Sequence, residues 1–162
     1  MRGPMPSDSA PGDLSRSDLT QFLSYRVVRL HHALNAQTVA VLERVAGITL
    51  AQWRVLVMVG SGTANTGRDI SRMSIVDPAM ISRTTHALEE AGMLQTHRPE
   101  SDRRVLELSL TPKGRAIYDR TLPHMQARQD VLLDHLDPGE CEAVFRILEK
   151  LEVAAAERGF LE

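Results

Sequence analysis

A short stretch near the middle of the chain carries arginines suited to binding a polyanion. Residues 98–104 run Arg-Pro-Glu-Ser-Asp-Arg-Arg, so that Arg103 and Arg104 follow a polar turn. A guanidinium at the tip of a β-hairpin can enter a narrow minor groove or clamp phosphates. Asp102 is interpreted as a carboxylate that positions an arginine, not as a base contact. The alternative is an exposed turn whose ion pair contributes little.

A second stretch of interest is the amphipathic segment at residues 77–91. Asp77 suits the N-cap and Pro78 the first helical position, and Gly92 is a stop signal. The residues predicted to face inward are Ile81, Thr85 and Leu88, and the candidate nucleic-acid contacts are Pro78, Ala79, Met80, Ser82, Arg83 and His86. Such a helix fits the major groove. An ordinary helix with one solvated face is the alternative.

A long helix is predicted near the amino terminus. Residues 1–17 are rich in Pro, Gly, Ser and Asp and have little to bury, which predicts a mobile tail. From Asp18 to about Val45, apolar residues recur every three or four positions, and Gly47 ends the pattern. A helix this apolar needs a partner, either another helix or a second subunit.

Two short helices are predicted between the long helix and the amphipathic segment. Thr49 can cap a helix over residues 50–59, although residues 55–59 could equally form a buried strand. Residues 60–67 are predicted to form a loop, and residues 68–74 a short helix.

A hairpin and two more helices complete the prediction. Residues 106–110 alternate between leucine and polar side chains, and residues 94–98 can pair with them. Thr111 opens the next helix, in which Pro123 predicts a kink or a break. Asp137 begins a capping box for the last helix. The predicted inward residues of that helix are Val144, Ile147, Leu148 and Leu151.

Two short helices followed by a hairpin form a winged helix-turn-helix, so the predicted fold class is mainly α with a small β-hairpin wing. The segments DPAMISRTTHALEEAGML and DRRVLELSLTPKG resemble the MarR family of bacterial transcription regulators. In that family a recognition helix leads through a D-x-R wing to L-T-x-x-G. The matching residues are Asp102, Arg104, Leu110, Thr111 and Gly114. One departure is Ser74-Ile75, where the family commonly has Leu and Gly.

The resemblance implies a homodimer that binds a near-palindromic operator in double-stranded DNA, as a repressor. Residues 18–162 would form one domain. Within it, residues 18–46 and 112–160 would serve mainly for dimerisation, and residues 49–111 would form the winged helix-turn-helix lobe. The resemblance also implies that Pro123 is tolerated in the long fifth helix.

Site roles follow by position in the family pattern. Ser82 and Arg83 are predicted to contact the major groove, Arg104 the minor groove and Arg103 a phosphate. The family also implies a cleft for a small, often aromatic, acid that releases the operator. Its candidate lining residues are Tyr25, Arg26, Arg29, His32, Trp53 and Met58. Core packing is the favoured alternative for Trp53, the single tryptophan.

Other chemistry finds little support in the sequence. Gly60-Ser61-Gly62 lacks the third glycine of a dinucleotide loop. His31 and His32 project about 100° apart on a helix, which does not suit a shared metal. Cys141, the single cysteine, is interpreted as a packed or inert thiol. The chain is therefore expected to be no enzyme and to need no cofactor or metal.

The composition bears on the number of domains, on where a nucleic acid would bind and on the location of the protein. With 162 residues, 43% of them hydrophobic, the chain has the size of one domain. The net charge is −2, but residues 1–52, 53–115 and 116–162 carry +1, +2 and −5, so any nucleic acid should meet the centre. No apolar run reaches membrane-spanning length and no signal peptide is evident, which predicts a cytoplasmic protein. The alternative function is a winged-helix dimer that binds proteins and not DNA.

Overall fold

The computed structural model describes residues 18–73, 77–99 and 105–157. The helices are α1 (Leu23–Val45), α2 (Leu50–Gly60), α3 (Gly67–Met73), α4 (Pro78–Glu90), α5 (Pro112–Leu133) and α6 (Pro138–Ala156), and the strands are β1 (Leu94–His97) and β2 (Glu107–Leu110). The predicted fold class, mainly α with a two-stranded hairpin, is confirmed. The predicted tail, residues 1–17, lies outside the described residues. None of the described helices is long and apolar enough to cross a membrane.

The amino-terminal helix starts later than the apolar spacing predicts. Asp18 caps a separate 3-10 turn, Leu19–Gln21, and Phe22 adopts extended backbone angles before α1 begins. The Asp18 carboxylate accepts hydrogen bonds from the Thr20 hydroxyl at 2.6 Å and from the Thr20 backbone N–H at 3.0 Å. These bonds, the hydroxyl bond first, lower the pKa of the Asp18 carboxyl because they favour its ionised form.

A capping box fixes the start of α2. The Thr49 hydroxyl accepts from the Gln52 backbone N–H at 3.2 Å, and the Gln52 side chain accepts from the Thr49 N–H at 2.9 Å. Helix α2 runs through residues 55–59, so the alternative of a buried strand there is wrong. The neighbouring side chains Val55 and Leu56 are both fully buried. Because α2 is covered on more than one side, the apolar residues of this run show no clear helical period.

The hydrophobic core lies around α2. This helix packs against α1, α4, α5 and β2. The fully buried aliphatic side chains are Leu42, Val55, Leu56, Ile70 and Leu88, drawn from four helices. Trp53 is 6% exposed and stacks on Tyr118 of α5, with ring centroids 6.0 Å apart. The core therefore joins the central residues to the second half of α1 and the first half of α5.

Helix α5 is continuous across its internal proline. It runs from Pro112 to Leu133 with an exposed Pro123 inside it, so the break considered for it does not occur and the proline is tolerated, as the family resemblance implies.

Helix α6 has no buried residue in the protomer. Of its predicted inward residues, Val144 and Leu151 are half-buried, whereas Ile147 is 50% exposed and Leu148 is 42% exposed. This face is therefore only partly covered within one protomer.

Candidate nucleic-acid interface

Helix α4 has one buried and one exposed face, as its sequence predicts. Asp77 caps it by accepting a hydrogen bond from the Met80 N–H at 3.3 Å. The buried residues are Ile81, Thr84 and Leu88. Thr84, at 9% exposure, takes the inward position predicted for Thr85, which is only half-buried. At about 100° per residue, positions 84 and 85 lie equally far around the helix from the direction of Ile81 and Leu88, so periodicity does not choose between them and the packing of neighbouring elements does.

All six residues predicted to contact DNA from α4 are exposed. They are Pro78, Ala79, Met80, Ser82, Arg83 and His86. Within the described ranges, Arg83 has neither an ion pair nor a hydrogen bond, so its guanidinium donors are available to a ligand. The His86 imidazole lies 3.4 Å from Glu90, one turn later. The amino-terminal half of α4 thus exposes the Ser82 hydroxyl and the Arg83 guanidinium to solvent.

Two side chains at the start of α5 form hydrogen bonds to the backbone at the end of α4. The Thr111 hydroxyl donates to the Gly92 carbonyl at 2.7 Å, and the Lys113 ammonium donates to the Ala91 carbonyl at 2.7 Å. Both bonds satisfy carbonyl groups that a helix end leaves without partners. Sequence reasoning assigns no role to Lys113, because its partner lies 22 residues away along the chain.

Gly114 completes this junction. Its backbone N–H donates to the Thr111 hydroxyl at 3.1 Å, and the Thr111 N–H donates to the Met93 carbonyl at 3.1 Å. A Cβ at position 114 would lie 2.9 Å from the Met93 carbonyl carbon and closer still to its oxygen. Only glycine allows the two backbones to approach this closely. The L-T-x-x-G pattern therefore has a structural reason, because its threonine and glycine hold the end of α4 in close contact with the start of α5.

The hairpin is anchored at its base. Strands β1 and β2 pair antiparallel, with His97 opposite Glu107, and the imidazole lies 2.9 Å from the carboxylate. An isolated bridge joins Thr66 to Glu107, and the Leu108 N–H donates to the Asn65 carbonyl at 2.6 Å. The base of the wing is thereby attached to the loop before α3. Strand β1 also packs directly against α4.

Several predicted residues fall outside the part of the chain that the structure describes. Residues 100–104 are among them, so the roles of Asp102, Arg103 and Arg104 remain predictions. The same holds for Ser74 and Ile75, the departure from the family pattern. Residue 99 is the last described residue before residues 100–104, and residue 105 is the first described residue after them.

The structure describes all six residues predicted to line a ligand cleft. Four of them, Tyr25, Arg26, Arg29 and His32, are exposed on the first half of α1. The Arg29 guanidinium lies 5.9 Å from the centre of the Tyr25 ring. Trp53 is in the core, as the alternative for it stated, and Met58 packs against the same core while half-buried. None of the six is among the residues that line the pocket between α1 and α5 or the pocket beside α3, α4 and β2.

Of the two adjacent histidines considered for metal binding, His31 is engaged by a neighbouring side chain. His31 accepts a hydrogen bond from the Asn35 amide at 2.8 Å, and Arg54 donates to the same Asn35 side chain at 3.4 Å. Among residues 18–73, 77–99 and 105–157, no three His, Cys, Asp or Glu side chains form a group that could hold a metal ion. Cys141 is half-buried, and its thiol donates to the Leu133 carbonyl at 3.8 Å.

Comparison with known proteins supports the family resemblance independently of the structure. Residues 48–106 match the family model described as "MarR family". The chain is 27% identical over 129 residues to the HTH-type transcriptional repressor Rv2887 of Mycobacterium tuberculosis, covering 80% of this chain and 92% of that protein. The matched region contains α2, α3, α4 and β1, the elements that present the candidate contacts.

Solved structures with similar folds include two whose ligands are named. The S. aureus MepR–DNA complex has a TM-score of 0.76 and 18% identity, over 86% of this chain and 99% of that chain. Bordetella bronchiseptica BpsR, described for the regulation of its DNA binding by 6-hydroxynicotinic acid, has a TM-score of 0.74 and 21% identity, over 85% and 97%. At these identities the likeness shows a shared winged-helix fold.

Proposed function

Because the chain belongs to the MarR family of DNA-binding transcriptional regulators, we propose that it is a homodimeric repressor of a near-palindromic operator, released by a small acid. The observation that carries the proposal is the exposed amino-terminal half of α4 within a winged helix-turn-helix. In this position Ser82 and Arg83 contact base edges in the major groove, Arg104 enters the minor groove and Arg103 contacts a phosphate.

Exposed apolar side chains support the homodimer. On and just before α1 they include Leu19, Phe22, Leu23, Val27, Val28 and Leu30, and on α6 they include Phe145, Ile147, Leu148 and Val153. Monomeric proteins rarely leave apolar patches of this extent in water. A second copy that covers both helices would remove them from solvent. We therefore assign residues 18–46 and 112–160 mainly to dimerisation and residues 49–111 to the DNA-binding lobe.

Release by a ligand needs two states of the dimer. A ligand shifts an equilibrium only if it binds one state more tightly than the other. Because α4 is locked to α5, a change in the angle of α5 would move the recognition helix and alter the separation of the two helices in the dimer. A dimer whose separation does not match successive turns of the major groove binds the operator weakly. The regulation of BpsR by 6-hydroxynicotinic acid is a precedent in a protein of similar fold.

Replacement of either groove-contacting arginine tests the DNA-binding role. Arg83→Ala and Arg104→Ala should each weaken operator binding by roughly 1–3 kcal/mol, because each variant lacks a guanidinium that binds in a groove. The measurement is a gel-shift titration at fixed salt, on an operator selected from random duplexes with the wild-type protein. Arg16→Ala, outside both the proposed dimerisation segments and the DNA-binding lobe, is the matched control and should leave the affinity unchanged. Unchanged affinity in both test variants would exclude the assigned contacts.

Arg103 has a separate signature, since a phosphate contact carries no sequence information. Arg103→Ala should weaken binding to operator and random duplex by similar factors. The slope of log affinity against log salt should become shallower by about 0.9 for each phosphate that the arginine neutralises. Titrations at four salt concentrations measure this slope. Complete absence of salt-dependent DNA binding by the wild type would instead favour the protein-interaction module.

A further inference from the structure

The first turn of α4 exposes apolar side chains on the face proposed to meet DNA. Pro78, Ala79 and Met80 are consecutive and all exposed, and Met80 keeps 45% of its surface in contact with solvent. The exposed polar side chains of this helix begin only with Ser82. A DNA-binding helix that starts with an apolar turn needs a base edge that it can contact without hydrogen bonds.

The backbone at the start of α4 is already engaged by Asp77. The Asp77 carboxylate accepts a hydrogen bond from the Met80 N–H at 3.3 Å, and the Asp77 carbonyl accepts from the same N–H at 2.9 Å. Free N–H groups at a helix N-terminus attract phosphate, whereas a carboxylate placed there repels it. The first turn of α4 is therefore suited to base edges inside the groove and not to the phosphates along its rim.

Met80 lies close to Arg83 on the surface of α4. At about 100° and 1.5 Å per residue, the two side chains are about 60° apart around the helix and about 4.5 Å apart along its axis. Stacked base pairs are about 3.4 Å apart. The two side chains can therefore reach base pairs that lie within two steps of each other. Arg83 makes no hydrogen bond or ion pair in the described ranges, and arginine pairs best with O6 and N7 of guanine.

The major groove offers one apolar group to such a turn. The base edges there carry hydrogen-bond donors and acceptors, and the methyl group of the groove is the C5 methyl of thymine. Methionine is flexible and polarizable, so its side chain adapts to an irregular apolar surface. Covering a methyl group removes apolar surface of both partners from water, which favours binding.

We propose that Met80, with Ala79 beside it, contacts the C5 methyl group of a thymine in each operator half-site, within two base pairs of a guanine bound by Arg83. The inference rests on the proposed function, since it requires α4 to lie in the major groove. It adds a base preference that a winged-helix fold does not specify. The preference comes from this chain's own residues at the first turn of α4.

Replacing each operator thymine in turn by deoxyuridine tests the contact, because uracil keeps the base pair and lacks only the methyl group. The operator is the duplex selected with the wild-type protein, and affinity is measured by gel-shift titration at fixed salt. We expect one thymine in each half-site at which the replacement weakens wild-type binding by about fourfold, the factor for one methyl-sized group no longer buried. At that position a 5-methylcytosine–guanine pair should bind more tightly than a cytosine–guanine pair.

Variants of Met80 show whether this side chain recognises the methyl group. Met80→Ala should bind the thymine and uracil operators equally, whereas Met80→Leu keeps an apolar side chain and should retain the preference. Met73→Ala removes another exposed methionine, 51% exposed at the end of α3, and should keep the wild-type ratio of the two affinities. A ratio is unaffected by a uniform loss of affinity, so the comparison isolates the contact between side chain and methyl group. Circular dichroism checks that the variants are folded.

The guanine has a separate test. Replacing guanine by 7-deazaguanine removes its N7 acceptor. At one guanine within two base pairs of the sensitive thymine, this change should weaken wild-type binding by about fivefold, the lower end for a bidentate contact, and should not affect Arg83→Ala. A sensitive guanine farther away would contradict the placement of Met80 beside Arg83.

Two further results would overturn the inference. Equal wild-type affinity for every thymine and uracil operator would show that no methyl group is contacted. An unchanged ratio of affinities in Met80→Ala would show that the methyl group acts through another contact or through DNA shape. If the wild type binds no DNA, the proposed function fails and the inference fails with it. If the wild type binds its operator without regard to the methyl groups, only the inference fails.

Discussion

Replacing Gly114 with alanine should destabilise the protein by about 3 kcal/mol or more, the upper end of what overpacking costs. The added Cβ would lie 2.9 Å from the Met93 carbonyl carbon. Relief requires movement of backbone on both sides, because the obstacle is a carbonyl group and not a flexible side chain. Such movement would also strain the Thr111 bonds that hold α4 to α5. Thermal unfolding followed by circular dichroism measures the effect.

Gly67→Ala is the matched control for Gly114→Ala. Both glycines lie in the first turn of a helix, but a Cβ at position 67 would meet nothing within 4 Å. Its stability should change by less than about 1 kcal/mol. Equal melting temperatures for the two variants would refute the close approach at Met93. Where Gly114→Ala remains folded, its operator affinity should be reduced, since the recognition helix is no longer held in place.

Replacing Ile147 with glutamate should convert the proposed dimer to a monomer at micromolar concentration. Ile147 is 50% exposed in the protomer, on a helix with no buried residue. An unpaired carboxylate in an apolar interface is strongly unfavourable. A monomer contacts only one half of the operator, so affinity should fall by roughly 100-fold, at the lower end of what linking two binding units gains. Sedimentation velocity and gel-shift titration measure the two effects.

Ile147→Leu keeps the apolar side chain and should leave both the dimer and the DNA affinity intact. Circular dichroism of Ile147→Glu should show a folded protomer, because the core around α2 does not include α6. A dimeric Ile147→Glu protein would show that α6 lies outside the interface. The apolar residues of α1 would then have to form the interface by themselves.

The distribution of charge fits a protein that binds DNA at defined points. The net charge of −2 is unevenly distributed, since residues 53–115 carry +2 and residues 116–162 carry −5. Helix α6 lies within the acidic segment. In a dimer the two centres would face one duplex, while the acidic helices lie mainly away from it. An excess of +2 is too small for binding through bulk charge. We therefore expect recognition to depend on the placement of Arg83, Arg103 and Arg104 more than on the total charge around them.

Local signals in the sequence located most helices and the hairpin correctly. Capping residues at Thr49, Asp77, Thr111 and Asp137 each begin a helix in the structure. These signals are reliable because the side chain and the N–H that it caps lie within three residues. The apolar spacing placed the start of the first helix too early, because a 3-10 turn capped by Asp18 ends at an extended Phe22 before α1 begins.

The candidate site was only partly predictable. The outward residues of α4 follow from helical period, and all six are exposed as expected. A cleft between α1 and α5 is lined by both Arg44 and Arg128, which are 84 residues apart, and no spacing rule connects them. Lys113 was missed for the same reason, since it acts on a carbonyl of a different helix.

The helices of the winged-helix lobe, its hairpin and the exposed face of α4 follow from the sequence alone, because they depend on short-range periodicity and capping. The exposure of α6 in one protomer, the place of Trp53 in the core and the need for glycine at position 114 follow only from the three-dimensional packing. Each of these depends on which distant surfaces meet. An apolar stripe shows that a face will be buried, but the three-dimensional packing determines what buries it.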